Sequence, residues 1–201
     1  MTMKCALCDH KDCYKGKDCT GSGEDAAKVY TGIDLQTLRT SSEIEAKYYM
    51  KKTRIEELII FARRMGHKRL GIAFCIGLEK EARVLHGILE KGFETHSVCC
   101  KVCGMDKSRF KVTQLHPERD GVEAICNPMW QAHVLNDAQT DLNIILGLCI
   151  GHDILFTKHS NAPVTTIAVK DRVLAHNPLG AIYSGYYQKR LKEAAEGDEN
   201  G

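Results

Sequence analysis

The spacing of apolar positions changes period several times along the chain. After a polar linker from Thr20 to Glu24, Ile44, Tyr48, Ile55, Leu58, Ile59, Ala62 and Met65 recur at helical spacing. Ser42 followed by Glu45 reads as the capping box that starts this helix, and Gly66 as its stop. RLGIAF (Arg69 to Phe74) is a short apolar run of strand type. Leu78, Ala82, Leu85 and Leu89 predict another helix, ended by Gly92, and THSVCC (Thr95 to Cys100) suits a second strand. A polar stretch runs from Gly104 to Asp120, and VEAIC (Val122 to Cys126) reads as a short strand or a loop. Asn127 and Pro128 form an N-cap and first-position proline, and Trp130, Val134 and Leu135 mark the helix they open. LNIILGL (Leu142 to Leu148) is a buried strand, a short helix spans Asp153 to Lys158, and VTTIAV (Val164 to Val169) is the last strand. Asn177 and Pro178 open a final helix to about Ala195, and EGDENG reads as a frayed tail.

Strands that alternate with helices imply βαβ units, a mostly parallel sheet and a three-layer α/β sandwich of Rossmann-like kind. The expected division is a Cys-rich segment, 1–24, and an α/β domain, 25–201, with a site at the carboxyl ends of its strands. There is no internal repeat. No G-x-G-x-x-G follows the first strand and no P-loop occurs, so a nucleotide is not indicated.

Charge removes further classes. Lys and Arg total 28 and Asp and Glu 26, and a net charge of +2 gives no global reason to expect nucleic acid or an anionic membrane as partner. No segment approaches the roughly 20 apolar residues of a membrane span, and Met1 to Cys5 lacks a signal-peptide stretch. The expected compartment is the cytoplasm, with a small-molecule substrate or a redox partner and room for a homodimer.

Ten cysteines are many for a reducing compartment, where structural disulfides are a poor explanation. One or two serve as small buried hydrophobes, but the clustering points to metal or redox chemistry. Cys5, Cys8, Cys13 and Cys19 read C-x2-C-x4-C-x5-C in a polar loop. A C-x2-C turn lets two thiolates take one ion, and Lys4, Lys11, Lys15 and Lys17 offset part of the remaining negative charge. Compact cysteine runs on one loop also hold iron–sulfur clusters. An iron–sulfur cluster, of the 4Fe-4S type, is favoured slightly over zinc, with His10 and Asp12 read as solvated rather than as ligands.

The remaining cysteines fall where strands end. Cys75 follows the first strand, Cys100 and Cys103 the second, and Cys149 the LNIILGL strand, while Cys126 precedes the Asn127-Pro128 helix start. In an open parallel sheet those ends share one rim, where ligands bind, and helix N-termini behind the sulfurs favour thiolate. His152, Asp153, Lys170, Asp171, Arg172, His176 and Asn177 reach the same rim. His152, Asp153, Lys170 and Asp171 are the candidate proton-transfer and orienting groups. A solvated turn at Lys170 to Arg172 stays open, as do N-caps at Asn127 and Asn177. Cys99 reads as a core residue, Trp130 as packing, and His133 and His159 as surface residues.

CIGLEKEA, CNPMWQA, the Cys5 to Cys19 run and above all GLCIGHDILFTKHSNAPVTTIAVKDRVLAHNP resemble an uncharacterised prokaryotic family, domain of unknown function 1847, over nearly the whole chain. The resemblance implies metal binding, attached to that family on account of its cysteines. It carries Cys5, Cys8, Cys13, Cys19, Cys75, Cys100, Cys103, Cys126 and Cys149, with His152, Asp153, Lys170 and Asp171 beside them. The arrangement is also similar to quinolinate synthase, where cysteines from separate α/β segments hold one cluster; this is an analogy of arrangement only. Three functions follow: an iron–sulfur protein acting on a small substrate or passing electrons, a zinc-stapled binding or regulatory module, and a thiol–disulfide protein using Cys100 and Cys103.

Overall fold

The computed structural model describes residues 3–197. The tail reading at EGDENG falls, from Asp198 onward, outside them. The chain forms two compact units, Met1–Lys51 and Lys52–Gly201.

The first unit holds the cysteine loop, which makes two 3-10 turns at Cys5–Leu7 and Asp12–Lys15, then α1 (Gly23–Lys28) and α2 (Gly32–Tyr48). Asp18 closes the loop: its carboxylate accepts from the backbone N–H of Thr20, Gly21 and Gly23 and from the Thr20 hydroxyl. Those bonds, the Gly23 N–H first, hold its pKa down at about 2.

The second unit opens with α3 (Arg54–Arg64), and this corrects the single long helix expected from Ser42 onward. Ser42 lies inside α2, so it caps nothing. The helical period continues across residues 49–53, but Met50 takes a left-handed conformation there and the chain leaves the helix. The capping box is Thr53–Glu56: the Thr53 hydroxyl accepts from Glu56 N, and the Glu56 carboxylate accepts from Thr53 N at 2.9 Å.

β1 (Arg69–Phe74), α4 (Glu79–Leu89), β2 (Glu94–Cys99), α5 (Pro128–Asp137), β3 (Leu142–Leu148), α6 (His152–His159) and β4 (Val164–Val169) follow. The four strands are parallel, in the order β2-β1-β3-β4. Helices α3 and α4 cover one face, where Leu58, Ala62, Ala82, Leu85 and Leu89 meet Leu70, Ile72 and Ile144. Helices α5 and α6 cover the other, where Ala132, Leu135 and Phe156 meet Ala73, Val98 and Ile145. The protein is thus a three-layer α/β sandwich. All seven residues of β3 are buried because it has strands on both sides and helices on both faces.

The order places the topological switch between β1 and β3, where a doubly wound sheet opens a crevice at its carboxyl edge. Cys75 and Cys149 follow those two strands. Gly147 shapes this edge: it takes φ +74° at the irregularity in the β3–β4 register, and a Cβ there would meet Leu78 Cδ1 at 2.1 Å.

The polar stretch after β2 is a loop with one antiparallel bridge, Asp106 to Ala124, so VEAIC is not a sheet strand. Asn127 caps α5 by accepting from Trp130 N. The helix expected from Asn177 to Ala195 is two short ones, α7 (Leu179–Tyr183) and α8 (Gly185–Glu196), broken at extended Ser184, and Asn177 makes no side-chain cap. Among the described residues no helix is long and apolar enough to cross a membrane.

Candidate functional site

At the β1–β3 edge three sulfurs stand in a row. Cys100, buried, lies 3.8 Å from Cys126 and is also hydrogen-bonded to Cys75. The local chain explains the gathering. Asn127 N donates to the Cys100 carbonyl at 2.8 Å and Lys101 Nζ to the Ala124 carbonyl at 2.6 Å, which ties Cys126 to the end of β2. Cys75 N donates to Leu146 O at 3.1 Å, which ties it to β3. The turn after β1 points N–H groups at sulfur: Ile76 N donates to Cys100 Sγ at 3.4 Å and Gly77 N to Cys75.

The innermost sulfur keeps its proton. Contact with Cys126 and Cys75, together with burial, pushes the Cys100 pKa up. Its neighbours are correspondingly acidic. The Cys100 thiol, then Gly77 N–H and the Lys170 ammonium, bring Cys75 down from 9.0 to about 5. The Cys100 thiol and His152 bring Cys126 down to about 4. The Cys126 thiolate in turn raises His152. Lys170 reaches Cys75 because position 77 is glycine: a Cβ there would lie 2.9 Å from Lys170 Nζ.

Cys149 is half-buried and has its own cation, Arg172 Nη2, at 3.1 Å. The Arg172 guanidinium also feels the charges of Cys75 and Cys126. The edge therefore pairs three sulfurs with cations: Cys75 with Lys170, Cys126 with His152, and Cys149 with Arg172. Asp171 is occupied in its own loop, accepting from Val173 N and Leu174 N at 2.9 and 2.8 Å, while its N–H donates to His176 Nδ1. Asp153 accepts from Ile154 N and lies within electrostatic reach of His152.

Several expected members fall elsewhere. Cys103 is exposed, in a left-handed conformation, and joins none of these contacts. Cys99 is half-buried, packed against the core and also bordering a groove. Arg172 lies in an exposed turn, as the solvated-turn reading expected, and its guanidinium is also bonded to the Cys149 sulfur. Lys101 was legible only as a neighbour of Cys100, and Gln131 carried no signal. Gln131 is fully buried, its Nε2 donates to Phe74 O and Val98 O beneath the strand ends, and its Oε1 has no partner.

In the first unit, Cys5, Cys8, Cys13 and Cys19 are all exposed. The Cys8 sulfur accepts the backbone N–H of Lys11 and of His10, which lowers its pKa. The Lys11 ammonium sits on the carbonyls of Cys5, at 2.6 Å, and of Cys8.

Both sulfur groups are soft, thiophilic donor sets. Among the described residues no three or more His, Cys, Asp or Glu side chains stand in a metal-holding arrangement. The donor chemistry and the Cys100–Cys126 spacing suit a thiophilic ion, and Cys149 is bonded to Arg172.

Fold and edge together define a three-layer α/β protein with cysteines gathered at its strand ends. The chain belongs to the family described as Protein of unknown function (DUF1847), whose model matches residues 15–167. That span is narrower than the resemblance carried by the motifs: it includes Cys19, the strand-end cysteines, His152 and Asp153, and leaves out Cys5, Cys8, Cys13, Lys170 and Asp171. The chain is 55% identical over 193 residues to the uncharacterized protein MJ0455 of Methanocaldococcus jannaschii, covering 95% of this chain and 99% of that one. No solved structure matches it.

Proposed function

We propose that this is a thiolate metal protein whose main centre lies at the sheet edge on Cys75, Cys100 and Cys126, with Cys149 as fourth ligand. The observation that carries the reading is the 3.8 Å between the Cys100 and Cys126 sulfurs. Two thiolates on one tetrahedral ion with bonds of about 2.3 Å stand about 3.8 Å apart. A 4Fe-4S cluster uses one cysteine per iron and spreads its thiolates wider, so a single zinc- or iron-type ion suits this pair better. The cluster stands as a second reading because the sulfurs are bordered by Lys170, Arg172 and Lys101 and take backbone N–H bonds, features that tune a cluster's potential.

The bound ion supplies Lewis-acid polarisation of a small substrate, and iron adds one-electron transfer. Around it, His152 exchanges a proton at the Cys126 side of the crevice, with Asp153 favouring its charged form. Lys170 presents an ammonium at the Cys75 side, and Asp171 orders the loop that carries Lys170 and Arg172. Cys5, Cys8, Cys13 and Cys19 form a second, structural centre. In its support, Cys8 already takes the paired backbone N–H bonds with which proteins orient metal-bound sulfur.

Metal analysis of anaerobically purified protein, with visible absorbance and electron paramagnetic resonance, tests the reading. About two metal sites per chain are expected, and Cys126→Ser should remove one. A colourless zinc protein supports the single-ion form and a brown one with broad visible absorbance the cluster. Metal-free protein, or a content that Cys126→Ser leaves unchanged, overturns the proposal.

A further inference from the structure

On the α4 face of the sheet, a groove of about 340 Å³ lies between α4 and the edge strand β2. Phe74, Ile76, Ala82 and Cys99 give it an apolar part, and Arg83, His86, Ser97 and the acidic Glu79 a polar one. Ser97 Oγ lies 3.1 Å from His86 Nδ1, and His86 Nε2 lies 3.6 Å from a Glu90 carboxylate oxygen one helical turn on. With Nε2–H toward Glu90, the Nδ1 lone pair accepts the Ser97 hydroxyl proton. Nucleophile and base are thus hydrogen-bonded beside the groove, with the carboxylate at ion-pair distance from the base.

The backbone adds a further element. Glu94 N and Cys100 N both donate toward β1. By the two-residue period of a strand, the N–H groups of Ser97 and Cys99 face the other way, to the free edge of β2. The Ser97 N–H, beside the nucleophile, can donate one hydrogen bond to a developing oxyanion; the Cys99 N–H, about 6.6 Å further along the strand, is too far to share that oxygen.

We propose that this groove is an esterase site, with Ser97 the nucleophile, His86 the general base and Glu90 a positioning residue, taking short acyl esters that carry a free carboxylate for Arg83. Ser97 Oγ bonds to the ester carbonyl carbon as its proton passes to His86 Nδ1, and the carbonyl electron pair moves onto oxygen. Return of that pair breaks the bond to the leaving alcohol, which takes the proton from His86. Water, deprotonated by His86, then attacks the acyl carbon; the acyl–Ser97 bond breaks, Ser97 Oγ takes the proton back from His86, and the carboxylic acid is released. No oxidant, reductant or metal enters the balance. The cavity sits at the small end of ligand sites, which sets the short acyl chain.

An alkyl fluorophosphonate, which loses fluoride to an activated serine, tests the nucleophile on the full-length protein, with the adduct located by mass spectrometry. Ser97 should label about 100-fold faster than exposed Ser108, and His86→Gln should bring it down to the Ser108 rate. Glu90→Ala should slow labelling about 10-fold, with part of the rate restored in Glu90→Gln, which keeps an acceptor oxygen. Ser97 labelling no faster than Ser108, or a rate indifferent to His86→Gln, overturns the proposal. Hydrolysis of mono-p-nitrophenyl succinate, read as wild type minus Ser97→Ala, should exceed that of p-nitrophenyl butyrate about 10-fold, and Arg83→Ala should erase the preference. Equal rates in the wild type overturn the anionic-acyl assignment.

Discussion

Two regions of this molecule each carry four cysteines, placed there by opposite means. The N-terminal loop draws its four from fifteen consecutive residues, all exposed, shaped by short-range bonds from Asp18 and Lys11. The sheet edge draws Cys75, Cys100, Cys126 and Cys149 from four segments, and it buries or half-buries every one. The loop's sulfur chemistry is a property of local sequence; that of the edge is a property of the folded sheet. A sulfur set that depends on the fold can also hold unlike protonation states side by side, as Cys100 does between Cys75 and Cys126. The loop has no such inner thiol, since burial produces it.

The contrast breaks most sharply at Gly147. An alanine there must take a left-handed conformation and displace Leu78, so Gly147→Ala should cost about 3 kcal/mol in urea unfolding. It should remove the metal of the edge and spare that of the loop; equal loss from both would show that the two are not independent. Next is Cys100→Ala, which removes the sulfur that both Cys75 and Cys126 contact. A loss of about 2 kcal/mol is expected, with one metal site gone. Cys13→Ser is its mirror: one metal site lost from the loop, with the urea midpoint unmoved. A midpoint shift as large as that of Cys100→Ala would contradict the exposed, local nature of the loop. Thr53→Ala should cost about 1 kcal/mol through the lost cap of α3 and leave both metal sites filled.

The strands were the most legible part of the chain. RLGIAF and LNIILGL coincide with β1 and β3 because a strand covered on both faces leaves a continuous apolar run between polar boundaries, and VTTIAV coincides with β4, an edge strand, through its β-branched residues. β2, at the sheet's margin, alternates more, and its observed bounds lie one residue earlier than THSVCC. Helix breaks were harder to read. Apolar periodicity runs on through Tyr48 and Ile55, and only the T-x-x-E at Thr53 betrays a new start. At the site, the positions of cysteines after strands could be read, but not their depth. Cys100 and Cys103 look equivalent in sequence, yet one ends a strand inside the protein and the other sits exposed in a left-handed turn. The pairing of Arg172 with Cys149 spans β4 and its loop, so nothing local announces it. The Ser97–His86–Glu90 line was missed for the same reason: the serine and the helix pair meet only after β2 folds against α4.

The smallest effect is the most local. Asp18 is fully exposed, yet four hydrogen bonds hold its folded pKa at about 2 against an ordinary 3.8. A depressed carboxyl pKa favours the folded turn in full above the unfolded value and loses that contribution as pH falls through the folded one. The loop's closure should therefore persist at pH 4 and give way between about pH 4 and pH 2. The amide resonances of Thr20, Gly21 and Gly23 report it directly, since their N–H groups are the donors. In Asp18→Asn the amide group still accepts through one oxygen but has no second oxygen for Gly23 N, so that resonance should shift already at neutral pH and lose its acid transition. If Gly23 instead titrates near 3.8 in the wild type, or ignores the substitution, the carboxylate is not what closes the loop. The cysteines would then owe their spacing to Lys11 on the carbonyls of Cys5 and Cys8, and Lys11→Met would become the variant that opens it.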